Sequence, residues 1–155
     1  MREIKFRGKR LDNGEWVYGD YHHRVGGVHC IIDIQPDFQG KVEYVIIQVD
    51  AEAVGQFTGL HDKLGEEIYE GDIVDFISPF FRDLTYPSYP AAPVDPKHHY
   101  QSVVVWNERD CGFGLVSLKE ALLRPCEQQP CGITQISDSY LIGNIHDNPE
   151  FLKTE

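Results

Sequence analysis

The sequence predicts a mainly β protein, built as a small, partly closed, SH3-like barrel with an N-terminal antiparallel β-sheet and one short helix. Short runs of β-branched and aromatic residues recur along the chain and are bounded by turn residues, which is the pattern of strands. The 155 residues include 14 Gly and 9 Pro, a content that favours many turns. We expect residues 1–53 to form the N-terminal sheet and residues 54–155 to form the barrel-like part.

The N-terminal part begins with a predicted hairpin. Glu3–Arg7 alternates charged and apolar residues, and the turn Leu11–Glu15 contains Asn-Gly, a strong hairpin signal. The strand that returns from this turn contains Trp16 and Tyr18, and we expect one of them to share a buried face with Phe6. Further strands are predicted at Asp20–Arg24, His29–Ile34 and Glu43–Val49, with a turn at Val25–Val28 between the first two.

The segment from Val54 to Ile77 is the one around which we expect the barrel to form. Asp62–Gly65 has the composition of a turn, because Asp can bond its own backbone and Gly tolerates a positive φ. A second turn, Glu70-Gly71-Asp72, lies between two short β runs. We therefore expect Gly71 to adopt a positive φ.

The segment Ser78–Gln101 is predicted to be a long loop, because proline at this density excludes a central strand or a helix interior. Its prolines are Pro79, Pro87, Pro90, Pro93 and Pro96, and its aromatic residues are Phe80, Phe81, Tyr86, Tyr89 and Tyr100. Aromatic residues are enriched at the centres of interfaces, so we expect this loop to make the protein a homo-oligomer. The alternative is that the loop folds back and covers its own barrel.

The C-terminal part contains two clear strands and the one predicted helix. Val103–Asn107 and Phe113–Val116 are the strands, and Ser117–Leu123 has the N-cap and apolar spacing of a helix that Pro125 ends. The remaining elements are a loop at Cys126–Cys131, a short strand at Ile133–Ile136, a closing strand at Tyr140–Ile145 and a terminal turn at Asn148–Leu152.

Composition and charge limit the function. The net charge is −11, with 25 acidic and 14 basic residues, and a field of this sign repels phosphate backbones. The exception is the N-terminal strand, whose basic residues form either a solvated face or a phosphate-binding stripe. These residues are Arg2, Lys5, Arg7, Lys9 and Arg10. The chain shows neither a long apolar run nor a hydrophobic signal segment, so we expect a cytoplasmic protein whose four cysteines are thiols.

Candidate metal ligands are present without a complete site. The histidines considered are His22, His23, His98 and His99, with His29, His61 or His146 as further ligands. Adjacent residues of a strand point to opposite faces, so each pair supplies one ligand, and exposed polar residues are the expected role. Cys126 and Cys131 have a spacing that zinc could use, but a second pair is missing, since Cys30 and Cys111 lie far off in sequence. A Cys126–Cys131 disulfide is the alternative in an oxidised sample.

Catalytic chemistry has little support. His146 and Asp147 could be combined with Cys111 or Ser117, but the chain has no nucleophile elbow and no Gly-rich phosphate loop. An acidic cluster in turns lacks the ligand spacing of a calcium loop. Its members are Glu66, Glu67, Glu70 and Asp72. We therefore assign no catalytic, cofactor-binding or metal-binding residue.

Four sequence blocks together resemble the YopX family of phage and prophage proteins. They are IKFRGKRLDNGEWVYGD at Ile4–Asp20, VGQFTGLHDKLGEEIYEGDIV at Val54–Val74, VVWNERDCGFGL at Val104–Leu115 and IGNIHDNPEFL at Ile142–Leu152. The resemblance implies a mostly β fold and a small phage-encoded protein in the cytoplasm of the bacterial host. It implies no activity, cofactor or catalytic residue, and the segment Ser78–Gln101 looks like an insertion.

The expected function is that of a non-enzymatic accessory protein of a phage or mobile element, acting through contact with a host or phage protein. Two alternatives remain open at this stage. One is a nucleic-acid-binding protein that uses the basic N-terminal strand, and the other is a metal-dependent hydrolase.

Overall fold

The computed structural model describes residues 3–36, 39–76, 99–108, 111–118, 131–132 and 139–153. These residues form two antiparallel sheets and two short 3-10 helices, Ala51–Ala53 and Pro149–Lys153, so the prediction of a mainly β fold is confirmed. The strands are β1 (Phe6–Lys9), β2 (Trp16–Arg24), β3 (Val28–Pro36), β4 (Val42–Gln48), β5 (Gly55–His61), β6 (Glu67–Tyr69), β7 (Asp72–Phe76), β8 (Tyr100–Asn107), β9 (Gly112–Ser117), β10 (Cys131–Gly132) and β11 (Tyr140–Asn144).

The chain divides into two compact units, Met1–Gly59 and Leu60–Glu155. In the first unit the strand order is β4-β3-β2-β1-β5. β5 ends at His61, in the second unit, where the turn after it leads into β6. The division into subdomains at residues 53 and 54 stays a prediction, since compactness does not establish which parts fold independently.

The register of the β1–β2 hairpin corrects one prediction about the buried face. Phe6 lies opposite Gly19, so it shares a face with Tyr21, and the two rings lie 5.4 Å apart. Trp16 and Tyr18 point to the other face, so the prediction that one of them packs with Phe6 is wrong. The reason is the number of residues in the connecting turn. The Arg10 amide donates to the Glu15 carbonyl at 2.9 Å, which leaves the four residues Leu11–Gly14 in the loop. The predicted turn Leu11–Glu15 is one residue longer, and that shift of register would bring Trp16 and Tyr18 to the face of Phe6.

The end of β4 returns to the end of β1. Arg10 and Val49 form an isolated bridge, and the Asp50 amide donates to the Lys9 carbonyl at 2.8 Å. Gly8 makes this approach feasible, because a Cβ there would lie 2.9 Å from the Val49 side chain. The sheet curls at this point but does not close. Since neither sheet of the described residues closes into a barrel, the partly closed SH3-like barrel predicted for residues 54–155 is not confirmed.

The second unit contains the sheet β10-β9-β8-β7-β11, with an apolar cluster on each face. One cluster contains Ile68, Val74, Val104 and Leu115, and the other contains Ile73, Val103, Val116 and Leu118. Neighbouring residues of β7 and of β8 divide between the two clusters, as expected for a strand that is buried on both faces. Among the described residues, the core of the second unit therefore lies on the two faces of this sheet.

Gly71 connects three parts of the second unit through its backbone. Its amide donates to the Val104 carbonyl at 2.8 Å, and its carbonyl accepts the Ile145 amide at 2.9 Å. Its φ of 85° confirms the predicted positive φ. Three of the sequence blocks that suggested a family therefore converge at one glycine.

Asp62 ties the turn after β5 to the last strand. One oxygen of its buried carboxylate accepts the amides of Leu64 at 2.7 Å and Glu66 at 2.9 Å. The other oxygen accepts the amide of Leu141 at 3.0 Å. The predicted turn at Asp62–Gly65 is thus confirmed, and its side chain holds a strand that lies far away in sequence.

Of the remaining predicted elements, some fall on residues that the structure describes and others do not. Tyr100 and Gln101 belong to β8, which shortens the predicted loop, and Ser117 belongs to β9. Several predicted features lie outside the described residues. They are the rest of the predicted loop up to His98, the predicted helix beyond Leu118, Cys126 and the predicted strand Ile133–Ile136. In the part of the chain that is described, no helix is long and apolar enough to cross a membrane.

Candidate interaction surface

β4 lies at one edge of the first sheet and exposes apolar side chains on both faces. On one face Tyr44 is 68% exposed and Ile46 is 55% exposed, and on the other face Val45 is 41% exposed. Val42 and the neighbouring Ile34 of β3, which pairs with Tyr44, are also exposed. We call Ile34, Val42, Tyr44 and Ile46 the β4 patch.

The backbone of β4 presents its hydrogen-bonding groups to the outside of the sheet. The Val49 amide donates to the His29 carbonyl on β3 at 3.0 Å. Successive residues of an antiparallel strand turn their N–H and C=O groups to alternate sides, so Val42, Tyr44 and Ile46 turn theirs away from β3. Among the described strands, none pairs with this outer edge, which ends where the Gln48 carbonyl accepts the Leu11 amide at 3.2 Å.

An edge of this kind is a template for a further strand. It offers backbone donors and acceptors together with pockets between alternate apolar side chains, which is what an added strand requires. The sequence pattern predicts the strand but not its position at an edge. Its apolar residues occupy both faces, a pattern that a fully buried strand also shows.

Lys5 and the basic residues of β1 do not form an open stripe. Arg7 is only 6% exposed, and its guanidinium lies 4.6 Å from the centroid of the Trp16 ring. Lys9 lies over the same ring at 5.9 Å, and Lys5 lies 5.8 Å from the Tyr18 ring. The prediction that this face is solvated is wrong for Arg7, because the aromatic residues of β2 share the face and cover it.

Two of the candidate histidines are brought together. His23 and His29 lie directly opposite each other on β2 and β3, with ring centroids 4.7 Å apart. The Tyr21 hydroxyl lies 2.6 Å from Nδ1 of His29. His22 is opposite Cys30 and therefore points to the other face of the hairpin.

The other candidate ligands lie in the second unit or outside the described residues. His99 pairs with Asp75 at 2.9 Å, and His98 is not described. His61 and His146 belong to the second unit. Across the described ranges, no three His, Cys, Asp or Glu side chains are grouped so as to hold a metal ion.

The acidic turn residues are engaged in local structure. The Tyr69 hydroxyl donates to Glu67 at 2.6 Å, and the Trp106 amide donates to Glu70 at 3.2 Å. The carboxylate of Asp72 accepts the Tyr69 amide at 2.8 Å. These bonds fix turns between strands, which is a structural role.

The residues considered for catalysis are also structurally engaged. The carboxylate of Asp147 accepts the side-chain amide of Asn144 at 2.8 Å. The Asn144 side chain in turn accepts the amides of His146 and Asp147, at 3.0 and 2.9 Å. Cys30 is a buried thiol, whereas Cys111 is an exposed thiol in a turn with a φ of 48°.

The comparisons with known proteins give a family and a fold. The sequence model of the YopX protein family matches residues 5–153. The crystal structure of protein EF1440 from Enterococcus faecalis is similar, with a TM-score of 0.51 and 20% sequence identity over 99% of this chain and 100% of that chain. At this identity the similarity shows the fold alone. Comparison with curated proteins found no match.

Proposed function

We propose, since the chain belongs to the YopX protein family, that it is an accessory protein of a phage or other mobile element. It acts by binding another protein through the β4 patch and the adjoining outer edge of β4. The proposed place of action is the cytoplasm of the bacterial host, as the family resemblance implies. The observation that carries the proposal is the exposed edge strand with apolar residues on both faces.

The binding mode we propose is the addition of an extended segment of the partner to β4. The outward backbone groups of Val42, Tyr44 and Ile46 supply the hydrogen bonds, and the side chains between them set the register. Burying the four half-exposed side chains of the patch contributes roughly 3–6 kcal/mol. Association itself costs about as much, so the contact is expected to be transient unless the partner adds further contacts.

The partner segment is expected to carry basic residues near its apolar ones. The chain has a net charge of −11, and complementary charge accelerates association and disfavours acidic competitors. The same charge, with Arg7 buried, makes a nucleic-acid partner the weaker alternative.

A charge-matched pair of variants tests the surface. Tyr44→Lys/Ile46→Lys places two lysines on the edge, where charge blocks strand addition. Val25→Lys/Leu64→Lys is the control, because both are exposed apolar residues that do not belong to the β4 patch and the change in charge is the same. Circular dichroism confirms that each variant is folded.

The assay is a pull-down from host cells with quantitative mass spectrometry. The wild-type protein and the control are expected to retain the same partner, and the edge variant is expected to lose it. Retention of that partner by the edge variant, or equal loss by the control, contradicts the proposal.

Self-association through the segment 78–98 is a second part of this proposal. Its support is the density of aromatic and proline residues in the sequence. Replacement should be confined to residues 78–98, because Tyr100 and Gln101 pair with Phe76 and Asp75 in the sheet. Light scattering should show an oligomer for the intact protein and a folded monomer for the shortened one. If the intact protein is a monomer at high micromolar concentration, self-association through this segment is excluded.

The partly closed SH3-like barrel between Val54 and Ile145 also stays a proposal. Its support is the density of short strands and tight turns in this part of the chain. A crystal structure in which the strands of residues 54–145 remain an open sheet throughout excludes it.

A further inference from the structure

We propose that His23 and His29 form a site for a divalent transition-metal ion at the end of the β2–β3 hairpin. The class of ion is the one that imidazole prefers, such as Ni²⁺, Zn²⁺ or Cu²⁺. The two histidines supply the protein ligands, and water completes the coordination. This inference goes beyond the proposed protein-binding function and does not depend on it.

The distance between the rings fits one shared ion. A metal about 2.1 Å from a ring nitrogen lies about 3.2 Å from the centroid of that ring. With centroids 4.7 Å apart, the two rings then subtend an angle of roughly 95° at the metal, close to the values of octahedral and tetrahedral sites. The two rings are stacked, with planes inclined by 30°, so sharing one ion requires the ring of the exposed His23 to rotate about its broad χ2 until its nitrogen points to the ion.

Tyr21 orients His29 for this role. Its hydroxyl lies 2.6 Å from Nδ1 of His29, and in the metal-bound form Nδ1–H donates to the Tyr21 oxygen. The lone pair is then on Nε2, which becomes the ligand atom. A hydrogen bond to the other ring nitrogen is the usual support of a metal-binding histidine.

The hairpin turn holds the two ligands in register. Arg24 pairs with Val28, so the loop consists of Val25, Gly26 and Gly27. Both glycines have a positive φ, of 96° and 79°, which allows the tight return of the chain. A slip by one residue would place His23 opposite Cys30 and separate the ligands.

His22 provides a matched control within the same strand. It is the same residue type, one position away, and it points to the opposite face. His22→Ala therefore removes an imidazole from the hairpin without removing a ligand. His23→Ala removes an exposed ligand, so it should leave the fold intact.

The test is calorimetric titration of the tag-free protein with NiCl₂, with NMR of the imidazole nitrogens. The wild-type protein should bind Ni²⁺ at this site, and His23→Ala and His29→Ala should each weaken binding at least tenfold. His22→Ala should change it less than twofold, and Tyr21→Phe should weaken it severalfold. Zn²⁺ should shift Nε2 of His29, and Nδ1 should be protonated in the metal-bound form.

Three outcomes overturn the proposal. They are an affinity for Ni²⁺ that His23→Ala leaves unchanged, a loss of affinity in His22→Ala as large as that in His23→Ala, and a spectrum in which the His29 nitrogens do not respond to Zn²⁺. If His29→Ala does not fold, His23→Ala and the NMR spectrum of the wild-type protein decide the question.

Discussion

Replacing Asp62 should reveal how strongly one carboxylate holds the second unit together. Asp62→Asn keeps the oxygen that accepts the Leu64 and Glu66 amides but turns an NH₂ group towards the amide of Leu141. A bond to a charged group is lost and a buried donor faces another donor, so the expected loss of stability is about 2–3 kcal/mol. Asp62→Ala loses all three bonds. The expected loss of stability is about 3–5 kcal/mol, and it is not larger because the turn amides can bond to water instead.

The pH dependence gives an independent check on Asp62. Burial raises the pKa of its carboxyl group, but the backbone amides of Leu141, Glu66, Leu64 and Gly65 outweigh this and hold the pKa below its ordinary value. The pKa in the folded state is thus lower than in the unfolded state. The stabilisation is therefore present above the ordinary carboxyl range and is lost as the pH falls through the folded-state pKa.

The assay is urea denaturation followed by tryptophan fluorescence in a Trp16→Phe background, so that Trp106 reports the second unit. Measurements from pH 7 to pH 3 should show that the gap between the parent and Asp62→Asn narrows at the acid end. Glu108→Gln is the control, because it removes an equal charge from an exposed turn. A loss below about 0.5 kcal/mol, or a gap that does not change with pH, would refute the role given to the carboxylate.

Three further predictions concern glycines and thiols. Gly71→Val should lower the free energy of unfolding by about 1 kcal/mol or more, because valine is strained at a positive φ and not because it is crowded. An unchanged melting temperature would contradict this. Gly19→Ala should cost more than about 2 kcal/mol, since its Cβ would overlap a carbonyl oxygen of β3, whereas Gly14→Ala meets open space and should cost about 1 kcal/mol. In thiol titration Cys111 should react in the folded protein and Cys30 only after unfolding; equal rates would exclude this assignment.

The sequence predicted the strands and turns well because the relevant signals are local. The glycine and Asx turns at Asp62–Gly65 and Gly71 follow from backbone preferences of single residues, and the structure confirms them. The face assignment of Phe6 failed because it depends on register, and a turn that is one residue shorter than predicted moves Trp16 and Tyr18 to the other face. Register is a property of two strands together, and neither strand contains it alone.

The candidate surface and the histidine pair were harder to predict. The residues of β4 are apolar on both faces, and only the strand order shows that they lie at an edge and not in a core. For His23 and His29, a turn assigned to Val25–Val28 gives a register one residue away from the observed one. A three-residue loop with two glycines was the signal that could have found the pair.

The bond between Asp62 and Leu141 also has a consequence for how the chain folds as it is made. Strands β1–β4 all lie within the first 48 residues, so their pairing can form early in synthesis. Asp62 must wait for a partner that emerges 79 residues later. At about 5–20 residues per second this delay lasts roughly 4–16 s. During these seconds the strands of the second unit lack their last neighbour, and the nascent chain is most exposed to misassembly on the ribosome.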